Sequence, residues 1–384
     1  MAYRTVLIEE NQVMLERLSS VIKNTPGFDL SARYRSAGDA LGQMQAFKPE
    51  LILLDIDNER NGALLPDLKK SYPHTAIIGM SRKWDSEAQS RLMRSGAGGF
   101  MIKPFTGEEL RETIQNLSNS ASAHHSEVIA FFSPKGKSGK TTLISNLGSA
   151  LARKTGESVA IIDGDLQFGD MSVFFNLTPQ STIVEAVRDI SFLSPVTLKS
   201  YFVPVNDNLS ILCGASKPDL AETVTMEGMT SLIKMARSIF RYVLLDLSSG
   251  FSDVSCTACE LADKTAIMAM VNGGYEVEHM KRALEIFRSW DDYKARVRPV
   301  FTRVSPCTEE EKAVFSQALG FPVAHILPNE YLAVSSAADN GRLLIDQMPD
   351  NPFSLAVEKL AEECTGQRIL DTKSQKLDVK KINK

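Results

Sequence analysis

Cysteine is scarce in this chain, with five among 384 residues, all scattered apart from Cys256 and Cys259. An odd count with no secretory signal fits a reducing cytoplasm rather than a disulfide-held exterior. Cys256-Thr257-Ala258-Cys259 has the spacing of a metal-ligand pair, but no second pair accompanies it. On a helix, residues three apart share a face, so two core cysteines account for the spacing. Charge of one sign is not in excess. Lys and Arg number 43 against 47 Asp and Glu, a net charge of −4, which argues against a generally nucleic-acid-binding surface. No apolar run approaches the roughly 20 residues of a membrane span. Met1 leads straight into a strand-like segment, so no signal peptide is expected. What remains is ordinary globular composition, 43% hydrophobic and 23% charged over 384 residues, long enough for two or more domains.

One stretch organises the rest. Val128 to Ser133 is an apolar run of strand length, followed by Pro134-Lys135-Gly136-Lys137-Ser138-Gly139-Lys140-Thr141-Thr142 and an apolar-periodic helix from Leu143. Strand, glycine-bearing loop, Lys-Thr and helix form the layout of a phosphate-binding loop. Gly136 and Gly139 let backbone N–H groups turn into a concavity at the positive end of the helix dipole. Lys140 supplies a cation for the outer phosphates and the Thr141 hydroxyl a ligand for Mg²⁺. Ser138 and Thr142 complete the predicted phosphate-binding set with Lys135, Gly136, Lys137 and Gly139. The first glycine of the usual pattern is missing, since position 134 is proline, and a second lysine, Lys135, heads the loop. This deviant form resembles the ParA/MinD family of ATPases, and Asn146 falls where that family has an asparagine. Lys137 departs from the family's second glycine, which bears on loop conformation and turnover rate. In the family the signature lysine, here Lys135, reaches the partner's nucleotide, which implies a homodimer in the ATP state.

The first 117 residues read as a separate domain. Strand-like runs at Arg4–Ile8, Phe28–Ala32, Leu51–Leu54, Ala76–Met80 and Gly99–Ile102 alternate with helical patterns at Val13–Ile22, Ala37–Phe47, Leu64–Ser71, Glu87–Arg94 and Glu108–Leu117. That alternation is a doubly wound α/β domain. Polar groups cluster at the strand ends, where such folds place their sites: Glu9, Glu10, Asp55, Ser81 and Lys103-Pro104. Acidic pair, aspartate, hydroxyl and Lys-Pro in that order resemble the receiver domain of two-component regulators. The resemblance implies a flavodoxin-like fold with Mg²⁺ on Glu9 and Glu10, a phosphoryl acceptor at Asp55, and Ser81 and Lys103 as the groups that read the change. Glutamates replace the commoner aspartates. The domain is either a phosphorylated receiver or a degenerate one kept for docking.

Residues 118–127 are small, polar and turn-rich, including His124-His125, and read as a flexible linker. The ATPase-like domain, residues 128–368, continues with strand Ser158–Ile162 ending in Asp163-Gly164-Asp165. Two carboxylates two apart at a strand end suit a Mg²⁺·phosphate site. On the family resemblance Asp163 lies near the metal and Asp165 orients or deprotonates the attacking water. Arg241–Leu245 is a further buried strand ending in Asp246, a Walker B pattern that would hold Mg²⁺ through water. Ser248-Ser249-Gly250 stands where the family has Pro-Pro-Gly. Strand–helix units follow at Thr265–Val271 with Val277–Trp290, and at Val297–Phe301 with Glu309–Leu319. In the family the loops after the last two strands flank the adenine, which implies Arg303 and Pro328. The expected catalytic set is therefore Lys135, Lys140 and Asp165, the metal set Thr141, Asp163 and Asp246, and the cofactors ATP and Mg²⁺.

The tail, residues 369–384, is lysine-rich with a thin apolar stripe at Leu377, Val379 and Ile382, which reads as a basic disordered tail rather than an anchor. Membrane contact is expected to be weak or indirect, and nucleic acid is not an expected partner. A receiver-like domain fused to a ParA/MinD-type ATPase domain with a mostly parallel sheet resembles the CpaE/TadZ family of tight-adherence (Flp) pilus systems. That resemblance implies a cytoplasmic ATPase that places pilus or secretion machinery, commonly at a cell pole, with those machine proteins as partners. A spatial regulator of chromosome, plasmid or septum, and a response regulator with an ATPase output, stay open as alternatives.

Overall fold

The computed structural model describes residues 2–119 and 126–365. The His124-His125 pair and the basic tail lie outside the described residues. Within the first sheet, β1 (Tyr3–Ile8), β2 (Phe28–Tyr34), β3 (Leu51–Asp55), β4 (Ala76–Ser81) and β5 (Gly99–Ile102) lie in the order β2-β1-β3-β4-β5. All neighbours are parallel. Every residue of β3 is buried, as a central parallel strand with both faces covered requires. The strand order reverses between β1 and β3, so the crevice outside their carboxyl ends is the natural site of the sheet. Asn11 opens the helix Gln12–Asn24 by accepting the Met14 N–H at 3.0 Å, and Leu15, Leu18 and Ile22 of that helix enter the core. The single helix expected at Ala37–Phe47 is two pieces, Ala37–Leu41 and a tight turn at Met44–Phe47. Gly42 sits at the break, where a glycine weakens helix continuity.

The second sheet comprises β6 (Glu127–Ser133), β7 (Val159–Gly164), β8 (Val203–Pro204), β9 (Leu209–Leu212), β10 (Tyr242–Ser249), β11 (Lys264–Met270), β12 (Val297–Val304) and β13 (His325–Pro328). Among the described residues its order is β13-β12-β11-β6-β10-β7-β9-β8, parallel throughout except that β8 runs against β9. Thus β10 is central, with β6 on one side and β7 on the other, and Asp246 stands in register with Asp163. The helix Lys140–Thr155 buries Leu143, Ile144, Leu147 and Leu151 against this sheet and stops at Gly156, whose φ of 66° is the left-handed stop that glycine supplies. Asn146 is a brace inside the domain. Its amide donates to the Thr142 carbonyl at 2.8 Å and its carbonyl accepts the Ile345 N–H at 3.0 Å.

The chain divides into two compact units whose membership does not follow the linker. Unit one is Met1–Ser126 with Val184–Phe202 and Thr223–Ile239; unit two holds the remainder. Inside unit one, the Trp84 N–H donates to the Ser191 carbonyl at 2.9 Å. The hydroxyls of Ser194 and Thr197 lie 3.1 and 3.2 Å from one oxygen of Glu109. Two stretches expected in the ATPase domain are therefore built into the unit that contains the first sheet.

Candidate functional site

In unit two the predicted loop forms between β6 and the helix Lys140–Thr155. Gly139 adopts φ 81°, and Lys137 adopts φ 63° although it carries a side chain. The left-handed backbone of the loop thus survives the loss of a glycine, at a cost of order 1 kcal/mol. Lys135, Gly136 and Lys137 are exposed, while Ser138 and Lys140 are buried. The Lys140 ammonium donates to Ser133 Oγ at 2.9 Å and Ser249 Oγ at 3.1 Å. Burial pushes its pKa down, against the charges of Asp246 and Asp165. Neither serine is expected as a partner of the lysine: Ser133 closes β6, and Ser249, in the Ser-Ser-Gly run noted from the sequence, closes β10. Thr302 adds a third unpredicted tie, its hydroxyl donating to the Ser138 carbonyl at 2.8 Å.

Thr141 Oγ1 donates to Asp246 Oδ2 at 2.6 Å, which brings the helix start to the end of β10. The other oxygen of Asp246 is buried with no hydrogen-bond partner, as is Ser138 Oγ. Burial pushes the Asp246 carboxyl up to about 6, against the Thr141 bond and the Lys140 charge. A buried carboxylate oxygen without a donor, beside a threonine hydroxyl, fits a site completed by Mg²⁺ and its water. Among the described residues no three His, Cys, Asp or Glu converge as a metal cage. Asp163 is wholly buried, and burial raises its pKa well above the ordinary value, with Asp246 adding to the rise. Its oxygens already accept the Asp165 N–H at 3.2 Å and the Met171 N–H at 3.1 Å. In this geometry it acts first as the anchor of the 165–171 loop, and Asp246 is the carboxylate left with an open acceptor. A Cβ on Gly169 would come within 2.5 Å of Asp163, so only glycine lets that loop close over it. Asp165 is half-buried and accepts the Phe168 N–H at 3.3 Å.

Arg303 and Pro328 line one cleft together with Gly139, Thr142 and Tyr331. The Arg303 guanidinium lies 4.6 Å from the centre of the Tyr331 ring, a flat cationic and aromatic wall of the kind that receives a planar base. The structure therefore brings all the predicted loop residues, Asp246 and the two flanking candidates to one edge of the second sheet.

Unit one brings together only part of its predicted set. Glu9, Asp55 and Lys103 are buried at the crevice, with Lys103 Nζ 2.7 Å from Glu9 Oε2 and 2.6 Å from Asp55 Oδ1. The Lys103 ammonium thus bridges these two carboxylates. Burial works against the Lys103 charge, but its bonds to Asp55 and Glu9 prevail and raise its pKa; burial likewise raises Glu9 against the pull of Lys103. Glu10 turns outward, exposed, where Asn58 Nδ2 donates to it at 2.9 Å. Ser81 does not contact Asp55; its hydroxyl donates at 2.6 Å to Asp57, a residue that the motif reading missed.

Comparison with known proteins agrees with both halves. The receiver domain family of response regulators matches residues 5–115, and the CobQ/CobB/MinD/ParA nucleotide binding domain family matches residues 129–344. The septum site-determining protein MinD of Synechocystis sp. is 25% identical over 249 residues, covering 63% of this chain and 90% of that protein. The transcriptional regulatory protein DegU of Brevibacillus brevis is 23% identical over 125 residues, covering 32% of this chain; the chain spans 53% of that protein's length. The crystal structure of a ParA family ATPase from Chlorobium tepidum superposes with a TM-score of 0.56 at 17% identity, covering 61% of this chain and 98% of that one.

Proposed function

Because the chain belongs to the CobQ/CobB/MinD/ParA nucleotide-binding family, whose pattern runs through residues 129–344, we propose that it is an ATP-dependent dimeric switch that localises a tight-adherence pilus or secretion machine. The observation that supports the switch chemistry is the closed set Lys140, Thr141 and Asp246, with one Asp246 oxygen buried and unpartnered. Lys140, held by two serine hydroxyls, offers its charge to the outer phosphates of ATP. Thr141 and Asp246 would hold Mg²⁺ and its water, a group that would supply positive charge against the phosphates. Asp165, in the loop folded over Asp163, positions the attacking water. Lys135 stands exposed, free to reach the nucleotide of a second copy. The pilus assignment is supported by architecture, a receiver domain fused to this ATPase domain.

Calorimetric titration with ATP·Mg²⁺ tests the chemistry. Lys140→Ala abolishes binding; Lys135→Ala binds but sediments as a monomer where the parent becomes a dimer. Asp165→Ala binds and dimerises yet hydrolyses slower by about 10²-fold or more. Equal sedimentation of the parent with and without ATP·Mg²⁺ would refute the dimer. For the cellular role, the Lys140→Ala strain loses pili while dividing normally. The similarity to MinD, a septum site-determining protein, favours one alternative, spatial regulation of the septum, and misplaced division in that strain with pili intact would establish it instead.

A further inference from the structure

Sequence spacing gives Asp57 no role, yet its carboxylate collects the donors of the receiver crevice. Ser81 Oγ donates to Oδ1 at 2.6 Å. The Arg82 backbone N–H lies 3.3 and 3.2 Å from the two oxygens, and Arg82 Nε lies 3.0 Å from Oδ2. Lys103 Nζ lies 3.3 Å from Oδ2 while it also binds Asp55 and Glu9. The Asp57 side chain is 22% exposed. A phosphoryl group on Asp55 would place its oxygens before the hydroxyl that ends β4 and the lysine that follows β5, because those are the groups able to meet new negative charge there. Both already face a carboxylate. Burial pushes the Asp57 carboxyl up, but the Ser81 bond, the Lys103 charge and the Arg82 bonds outweigh it and hold the group below the usual carboxylate range, ionised at neutral pH.

We propose that the Asp57 carboxylate fills the anion seat of this receiver, so that Ser81 and Lys103 are held in their charge-engaged arrangement without phosphorylation of Asp55. The proposal rests on the receiver fold and not on the ATPase reading. Its consequence runs along the chain from Ser81. Three residues on, Trp84 packs edge-on against Phe100 with ring centres 5.4 Å apart, and the Trp84 N–H holds the Ser191 carbonyl. An anion fixed on Ser81 and Arg82 thus fixes the loop that grips the Val184–Phe202 segment of the same unit.

The chain has two tryptophans, so Trp290→Phe leaves Trp84 as the sole reporter in the full-length protein. In that parent, acetyl phosphate with Mg²⁺ adds no phosphoryl mass, and beryllofluoride with Mg²⁺ leaves Trp84 emission unchanged. Asp57→Ala shifts the emission to the red, Ser81→Ala shifts it the same way, and beryllofluoride with Mg²⁺ returns the Asp57→Ala emission toward the parent's. Adding Asp55→Asn to Asp57→Ala abolishes that return. Phosphoryl mass or an emission change in the parent would overturn the proposal. So would unchanged emission in Asp57→Ala or Ser81→Ala, no return of the Asp57→Ala emission, or a return that persists with Asp55→Asn. Circular dichroism checks that each variant is folded; if Asp57→Ala is not, Asp57→Asn takes its place under the same criteria, and the parent arm decides by itself if both unfold. A parent that fails to bind ATP would sink the ATPase reading and leave these outcomes interpretable.

Discussion

At the scale of single residues, two side chains hold positions that their chemistry opposes. Lys137 keeps φ 63°, a left-handed conformation that favours glycine, although it carries a side chain. Its exposure leaves the side chain room, so the penalty lies in the backbone alone. Lys137→Gly should therefore stabilise the folded protein by roughly 0.5–1 kcal/mol, net of the extra freedom glycine gives the unfolded chain, read as a raised thermal midpoint; a lower midpoint would mean that the lysine makes a compensating contact. His325 is the second case. Burial, joined by the charges of Lys312, Lys359 and Arg298 against that of Glu309, pushes its imidazole down to about 4. Its Nε2 lies 3.1 Å from Glu363 Oε2, a contact made by a neutral ring at pH 7. The unfolded chain takes up this proton near pH 6.5 and the folded chain only near 4, so the unfolded state binds more protons between those values. Stability linked to His325 is complete above about pH 6.5 and falls as pH drops toward 4, by about 3 kcal/mol in all. His325→Gln should flatten thermal midpoints measured from pH 7 to 4.5, and an unchanged slope would exclude the histidine. The site legible in the sequence was the part written as contiguous motif, the loop and Asp246. Ser133, Ser249, Thr302 and Asp57 stayed hidden because each acts through a partner at least 24 residues away or across a strand register, apart from Ser133, whose seven-residue reach to Lys140 has no motif to announce it.

At the scale of elements, hydrophobic period and strand-end punctuation located most strands and helices, because a parallel strand buried on both faces is a run of apolar residues wherever it occurs. The misses have physical reasons. β8 is only Val203–Pro204, too short to carry a period. β10 runs on to Ser249, past the Asp246 that interrupts its apolar run, because pairing with β7 and β6 continues beyond that carboxylate. Between helices, packing overrides propensity. Gly228 lies in the helix Met226–Ile239, where alanine would favour the isolated helix by about 1 kcal/mol. Yet a Cβ there would come within 2.3 Å of Val187 Cγ1, and Val187 lies in the helix Ile183–Asp189, where a valine has little rotamer freedom with which to retreat. Gly228→Ala is therefore expected to destabilise by about 1–3 kcal/mol, measured by urea unfolding. Val187→Ala in the same chain should recover most of that loss, and additive effects of the two changes would show that the helices do not meet through this pair.

At the scale of the whole molecule, the division of the chain into units carries its own test. A cut at the small polar linker would separate a receiver-like piece from an ATPase-like piece if sequence order governed the packing. Instead Val184–Phe202 and Thr223–Ile239, both beyond the linker, belong to the unit that contains the first sheet. They are tied to it by the Trp84–Ser191 backbone bond and by Ser194 and Thr197 on Glu109. A hydrogen bond of this kind contributes about 1 kcal/mol net, so those polar ties give register, and buried apolar side chains such as Trp84, Leu193 and Leu198 supply the larger share. Packing within that unit is therefore expected to hold Val184–Phe202 and Thr223–Ile239 on the first sheet. A protease site placed between residues 119 and 126 and cleaved to completion should leave two fragments that co-elute on gel filtration and sediment as one species. Asp57→Ala should weaken that association, since Ser81 and Arg82 lead directly to Trp84. Fragments that separate at micromolar concentration would show that the two later segments are held by the chain and not by their packing.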